Sequence, residues 1–322
     1  MGDRRPNLLQ EEMTWANMRI THFIVSAGVT IGLLAVPFGL FGQRSAVSQA
    51  YQLTHSIVYD PSPSPDGKKL IYSMVLLGRE QFFIMNVDGT GPVQLTKDDA
   101  DHEDPAWSPD GKKIAFTCIK DKLETISLVN TDGTGMESLT PPNVRAIHPN
   151  WSPDGSKLAY CTDDDLAPPR KNDSDVMVIN MATRQVTTLI TGGVNTYPVF
   201  SPDGKQLAFR RMIGEMNSEV FLANADGTGA HNITNHPAFD GWPAWSPDGS
   251  RIAFASNRNS SYQIFTMNPD GSDVQLLANT EGRGTAPKWA TDGMRIYFSV
   301  CKNVDFGVDC QIFAARTQGF VK

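Results

Sequence analysis

The sequence predicts an all-β protein, a six-bladed β-propeller whose blades are four-stranded antiparallel sheets. The first observation is a repeat: the motif SPDG recurs every 44 to 49 residues, and ATDG, at Ala290, is a sixth copy. The five SPDG copies begin at Ser64, Ser108, Ser152, Ser201 and Ser246. A period of this length is typical of propeller blades and of helical repeats. The second observation, short apolar runs between the motifs, favours strands, and the third, 27 Gly and 21 Pro, supplies the turns between them.

Each period contains four such strands. After each SPDG comes an apolar run of five to seven residues, such as KKIAFTC, and about nine residues later a second run, such as TISLVN. Runs of this length, rich in Ile, Phe, Tyr and Val, are typical of strands. A second Asp-Gly pair begins at Asp88, Asp132, Asp226 and Asp270 and precedes a last short run that ends in Leu-Thr or a near match. Asp-Gly favours tight type I′ hairpins, so we predict an antiparallel meander in every blade.

The N-terminal 50 residues form a separate segment. Residues 1–17 are polar, and residues 23–42 (FIVSAGVTIGLLAVPFGLFG) are uncharged and lie between Arg19 and Arg44. Twenty apolar residues are long enough for a membrane anchor and also fit the apolar region of a signal peptide. Ser48-Gln49-Ala50 carries small residues at the two positions that signal peptidase recognises, so cleavage after Ala50 and a retained anchor both remain open. Either alternative predicts export, with residues 51–322 forming the propeller.

The two ends of the propeller are predicted to pair. Tyr51 to Thr54 (YQLT) repeats the end of a blade, as in Val93 to Thr96 (VQLT), yet it stands before the first SPDG. The sixth period ends at Lys322 after its third strand. We therefore expect Tyr51–Thr54 to supply the outer strand of the last blade and to close the ring.

The repeat P-x-W-S-P-D-G-x-x-I-A-F, followed by I-x-x-M-N-x-D-G-T-G and L-T, resembles the WD40-like propeller repeat of the TolB family of bacterial cell-envelope proteins. The resemblance extends from Tyr51 to Lys322. TolB itself has an additional α/β domain before its propeller, whereas here the apolar segment leads almost directly into the first blade. The resemblance implies a periplasmic or secreted β-propeller, or one tethered by residues 23–42, that binds a protein or peptide in the cell envelope.

Strand alternation predicts which face of the disc binds a partner. The SPDG and second Asp-Gly turns lie on one face, and the variable loops lie on the other, where function is usually found. On that variable face the residue before each repeat proline is predicted to ring the mouth of the central channel. These residues are Asp60, Asp104, His148, Tyr197, Trp242 and Ala286. We take the first five as candidates for partner binding, with Tyr197 and Trp242 as anchors. Solvated loop residues, or an aromatic plug of the channel, are the alternative.

Two loops on the same face are candidate sites. Residues 98–104 (DDADHED) are acidic enough to bind calcium, although they lack EF-hand spacing, and the alternative is a solvated acidic loop. Asp101 and His102, with His148 from the next blade, are candidate metal ligands, because sugar lyases with similar repeats use a metal at the mouth. The insertion at residues 162–175 contains Pro168-Pro169 and is predicted to project, either as part of the binding side or as a neutral surface insertion.

The remaining features favour binding over catalysis. Cys301 and Cys310 end and begin neighbouring strands of the sixth blade, so export permits a disulfide between them, whereas Cys118 and Cys161 are expected to be small buried residues. The sequence contains neither G-x-S-x-G nor H-E-x-x-H, and its net charge of −7 repels nucleic acid. We therefore predict a monomeric, non-catalytic binding or scaffold module without a cofactor. A carbohydrate-active, lyase-like enzyme with a metal at the mouth is the alternative.

Overall fold

The computed structural model describes residues 47–162, 173–214, 217–304 and 307–317. The apolar segment at residues 23–42 and most of the third-blade insertion, residues 163–172, lie outside the described residues. Within the described ranges there is no helix long and apolar enough to cross a membrane.

The predicted all-β architecture is confirmed, with six four-stranded antiparallel sheets. The chain begins the fold with β1 (Tyr51–Gln52) and then forms five blades in sequence order. These are β2 (Val58–Pro63), β3 (Lys69–Leu76), β4 (Arg79–Asn86) and β5 (Val93–Gln94); β6 (Asp101–Trp107), β7 (Lys113–Lys120), β8 (Leu123–Asn130) and β9 (Glu137–Ser138); β10 (Ala146–Trp151), β11 (Lys157–Thr162), β12 (Val176–Asn180) and β13 (Val186–Ile190); β14 (Asn195–Phe200), β15 (Gln206–Gly214), β16 (Asn217–Asn224) and β17 (His231–Asn232); and β18 (Asp240–Trp245), β19 (Ile252–Ser256), β20 (Gln263–Met267) and β21 (Gln275–Ala278). The sixth blade contains β22 (Arg283–Trp289), β23 (Arg295–Val304) and β24 (Gly307–Arg316).

The ring closes through the N-terminal strand, as the sequence predicts. β1 is the outermost strand of the sixth blade, and its Tyr51 and Gln52 pair antiparallel with Ala314 and Phe313 of β24. Thr54 extends this pairing, because its hydroxyl accepts the Ile312 N–H at 2.9 Å. The two ends of the propeller are therefore held together by hydrogen bonds across the last blade.

The Asp-Gly turns are not of the predicted type I′. In the turn that begins at Ser64 only Gly67 has a positive φ, 69°, and the Gly67 N–H donates to the Ser64 carbonyl at 2.9 Å. The Ser64 hydroxyl donates to Asp66 at 2.7 Å and accepts the Lys69 N–H at 2.9 Å. Asp66 accepts the Lys68 N–H as well, and its φ is not positive. Only the glycine therefore needs the left-handed conformation, as in hairpins built around a type I turn.

Repeated contacts join each blade to the one before it. Trp107, Trp151 and Trp289 each donate the indole N–H, at 3.1 Å, to a carbonyl in the innermost strand of the preceding blade. The glycine of the second turn packs closely against the outer strand of that blade. A Cβ at Gly227 would lie 2.2 Å from the Leu189 carbonyl oxygen, and the same contact recurs at Gly89, Gly133 and Gly271.

In the sixth blade, whose outer strand is β1, Ser48 makes the corresponding contact with the preceding blade. The Ser48 N–H donates to the Leu277 carbonyl at 2.9 Å, and Ala50 packs against the adjoining core. The hydrophobic cores themselves lie between blades, as where Phe82 of the first blade meets Phe116 of the second.

Candidate functional site

The six predicted mouth residues share an unusual backbone conformation. All have φ between 49° and 57°, and each lies at a register shift between the two inner strands of its blade. They are Asp60, Asp104, His148, Tyr197, Trp242 and Ala286. A left-handed residue at a β-bulge redirects its side chain, and here all six line one cavity together with Lys288. The cavity measures about 50 Å³, enough for a few water molecules but not for a sugar ring or a peptide.

One half of the mouth is aromatic. The His148 and Tyr197 rings stack with centroids 3.7 Å apart, and Trp242 follows at 5.6 Å from Tyr197. Trp242 is only 7% exposed and continues into a cluster with Phe239. The Arg210 guanidinium lies 5.0 Å from the centre of the Tyr197 ring. Trp242 is therefore mainly a packing residue of the channel wall, while Tyr197 is only partly buried.

The aromatic half meets the acidic half at His148. Its Nδ1 lies 3.1 Å from the Cys161 sulfur, and its Nε2 lies 3.7 Å from Asp104 Oδ2. Thr117 links the two sides, because its hydroxyl donates to Asp104 at 3.2 Å and accepts the His148 backbone N–H at 3.2 Å. Cys161, which was predicted to be a small buried residue, is fully buried and contacts the His148 ring nitrogen.

The acidic half contains carboxyl groups that are difficult to ionise. Burial raises the pKa of Asp60 to about 6, an effect that Lys288 opposes. Burial and the neighbouring Asp60 charge raise the pKa of Asp104 to about 8. Burial in turn lowers the pKa of Lys288, which Asp104 and Asp60 oppose. Near neutral pH, Asp60 and Asp104 together therefore carry less than two full negative charges.

Two glutamates extend this acidic half outward. Glu80 accepts a hydrogen bond from the Tyr59 hydroxyl at 3.3 Å, and burial, with the Asp60 and Asp101 charges, raises its pKa to about 7. Burial and the Glu80 charge raise the pKa of Glu103 well above its usual value. The acidic half thus consists of Asp60, Glu80, Glu103 and Asp104, with Lys288 as its cation.

The structure does not bring the predicted metal ligands together. His102 is fully buried between Phe82 and Phe116, and its Nδ1 lies 2.9 Å from the Thr96 hydroxyl. Asp101 instead accepts hydrogen bonds from Arg79 and from the Glu80 N–H. Across residues 47–162, 173–214, 217–304 and 307–317, no three His, Cys, Asp or Glu side chains are arranged to hold a metal.

The other acidic residues of the 98–104 loop are also engaged separately. Asp98 accepts the Ala100 N–H and lies 3.2 Å from His102 Nε2, and Asp99 pairs with Lys120 at 2.7 Å. These carboxylates point to different protein partners and do not converge on one point.

Outside the mouth, the structure contains a disulfide between Cys301 and Cys310, which face each other across β23 and β24. Cys118 is a free, partly buried thiol.

Several mouth residues were not identified from the sequence. Lys288 stands two residues after Ala286, where the other blades have Ser, Ala, Asn, Val and Ala, and a lysine among such small residues was a usable signal. Glu80 and Arg210, which contact Tyr59 and Tyr197 beside the mouth, have no position in the repeat motif and could not be identified from the sequence.

Comparison with known proteins places the fold among TolB propellers. The family model described as the TolB beta propeller domain matches residues 41–165 and 119–319. A Protein TolB homolog from Chlorobium luteolum is 30% identical over 87 residues, a match that covers 27% of this chain and 20% of that protein, so this chain matches only a fifth of its relative.

Two solved structures show how widely the fold is shared. A putative TolB from Agrobacterium tumefaciens aligns with a TM-score of 0.64 at 21% identity, covering 84% of this chain and 97% of that one. Oligogalacturonate lyase from Vibrio parahaemolyticus aligns with a TM-score of 0.56 at 15% identity, covering 87% and 97%. At these identities the likeness shows the fold alone.

Proposed function

Because the chain belongs to the TolB β-propeller domain family, we propose that it is an exported, non-catalytic binding module that recognises a protein or peptide of the cell envelope. The contact surface is the channel mouth and the loops around it. The protein acts there without a cofactor, and the periplasm or the outer surface of the membrane is its place of action.

The observation that carries this proposal is the contrast between backbone and side chain at the mouth. The backbone is left-handed in all six blades, which glycine or asparagine would adopt at lower cost. The side chains nevertheless include Asp, His, Tyr and Trp, and they differ around the ring. The repeat therefore needs only the conformation, while the identities of the side chains remain free to serve recognition.

The shape of the mouth favours a partner that covers the opening rather than a ligand that enters it. The cavity of about 50 Å³ holds only a few waters, so a partner must make most of its contacts with the rim. Tyr197 supplies an aromatic surface on one side, and Asp60 and Asp104 supply carboxyl groups on the other. An interface with an aromatic anchor and a polar rim is typical of protein recognition.

Capture from envelope extract tests the proposal, with the full chain as bait. Ala286→Tyr narrows the mouth with a residue that the fourth blade already has at the same position, Tyr197. Tyr197→Ala removes the aromatic surface, and Lys68→Ala, an exposed change on the turn face, is the matched control. We expect one specific protein to be retained by the natural chain and by Lys68→Ala, and to be lost from both mouth variants.

Metal analysis distinguishes the carbohydrate-active alternative. A stoichiometric bound ion that disappears in His148→Ala, together with cleavage of an acidic oligosaccharide, would replace the binding proposal with a lyase-like enzyme. Retention of the same proteins by the natural chain and by both mouth variants would show that the mouth is not the contact surface.

A further inference from the structure

The first blade presents an exposed apolar hairpin on the mouth face. β3 and β4 are joined at Leu77-Gly78, and Val75, Leu76 and Leu77 are 40%, 36% and 97% exposed. Ile57 lies just before Val58, which pairs with Met74 next to this tip, and is 45% exposed. Consecutive exposed apolar residues at a solvent-facing tip are unusual unless they contact another molecule.

The backbone conformation of Leu77 is one that leucine does not favour, so folding alone does not account for a leucine at this position. Leu77 and Gly78 have φ of 52° and 80°, and such hairpin turns favour Asn, Asp and Gly. The matching turn of the second blade has the polar residues Asp121 and Lys122, with φ of 52° and 68°. Leu77 therefore adopts an unfavourable conformation without being buried in return.

The apolar tip adjoins the acidic half of the mouth. Val75 pairs with Glu80 across the hairpin, and Glu80, which accepts a hydrogen bond from Tyr59, is the member of the acidic half next to the apolar tip. The nearby basic side chains of Arg79 and Lys120 are engaged by Asp101 and Asp99. The pKa values of Asp60, Glu80 and Asp104 are raised to about 6, 7 and 8, so the positive charge of a docked lysine or arginine would shift these carboxyl groups to the ionised form.

We propose that the mouth face of the first two blades docks a partner segment that is both apolar and basic. Its apolar side chains pack on Val75, Leu76 and Leu77, and its lysine or arginine side chains face the acidic half. This inference rests on the proposed function, since it specifies the chemistry of the partner that the mouth recognises. The sign of the charge distinguishes the partner from an anionic membrane surface, which the same carboxylates repel.

Defined peptides test the docking surface directly. The probe is a fluorescent twelve-residue peptide of alternating Leu and Lys, compared with Ser–Lys and Leu–Glu peptides and with vesicles of neutral and anionic phospholipid. We expect saturable binding of the Leu–Lys peptide to the full chain, weakening as salt is added, and at least tenfold weaker binding of the other probes.

Two variants and one control test whether the peptide binds at this surface. Leu77→Asn suits the left-handed turn and so keeps the hairpin folded, and we expect it to weaken binding of the Leu–Lys peptide about tenfold or more. Met294→Asn, which replaces a 68% exposed apolar residue on the turn face, is the matched control and should leave binding unchanged. Glu80→Gln should weaken binding and reduce its salt dependence.

Equal binding by Leu77→Asn and Met294→Asn, or tight binding of the Leu–Glu peptide, overturns the inference. Preference for anionic vesicles overturns it in favour of a membrane surface. Loss of envelope capture in Tyr197→Ala but not in Leu77→Asn defeats this inference and leaves the proposed function standing. Conversely, peptide binding that depends on Leu77, with no specific protein captured from the envelope, defeats the proposed function but not the docking surface.

Discussion

Substituting alanine at Gly227 tests whether close contacts between blades stabilise the ring. Gly227 has a φ of 86°, and an added Cβ would lie 2.2 Å from the Leu189 carbonyl oxygen and 2.9 Å from its carbon. Gly192 has a similar φ, 80°, but an added Cβ there meets nothing within 4 Å. The pair therefore separates the cost of a left-handed alanine from the cost of the contact.

The two costs have different sizes. A left-handed alanine costs about 1 kcal/mol in either variant. At Gly227 the fourth blade must also move away from the third, and forced overpacking of this kind costs about 2 kcal/mol more. With a shift in Tm of about 2–4 °C for each kcal/mol, Gly192→Ala should lower Tm by about 2–4 °C and Gly227→Ala by about 6–12 °C.

Thermal unfolding of the two purified variants, followed by circular dichroism in the same buffer, measures this difference. Gly271→Ala should match Gly227→Ala, since its Cβ would also lie 2.2 Å from a carbonyl oxygen, that of Ile233. Equal Tm values for Gly192→Ala and Gly227→Ala would refute the reasoning, because the contact between blades would then add nothing to the cost of the backbone conformation.

Three further predictions concern stability. Replacing Cys301 and Cys310 together with serine should cost about 2.5 kcal/mol, the loop-closure value for a sequence separation of nine, and a denaturant midpoint unchanged by the replacement would contradict this. Because the pKa of Asp104 is raised to about 8, the folded protein holds a proton that the unfolded chain loses near pH 4, so stability should fall as pH rises from about 4 to 8. Asp104→Asn should flatten that fall in Tm and raise Tm at pH 8, and an unchanged slope would show that Asp104 does not cause it. A chain that begins at Tyr51 should unfold a few degrees below one that begins at Val47, because it lacks the Ser48 hydrogen bond of about 1 kcal/mol; equal melting would mean that this segment adds nothing.

The repeat was sufficient to predict the blades and the closure of the ring. Strand period, turn residues and the displaced Tyr51–Thr54 segment are local signals, and each blade uses the same ones. The residues before the prolines could also be placed at the mouth, because one position in every blade must face the axis.

The contacts between unlike residues were harder to predict. His102 lies two residues before Asp104, and simple strand alternation would put both side chains on one face. The left-handed bulge at Asp104 breaks that alternation, and His102 turns instead towards Phe82 and Phe116. No local sequence pattern predicts such a shift of phase, and none predicts that Glu80 belongs to the acidic half.

The hydrogen-bonded closure of the ring determines where mechanical force would act. Tension applied through residues before Val47 reaches the propeller first at Ser48, which is bonded to Leu277 of the fifth blade, and then at the two-residue strand β1. Four-stranded blades formed by one continuous stretch of chain do not have such a seam. A pull from that end would therefore peel β1 from β24 first and leave the mouth, on the opposite face, in place until the seam had opened.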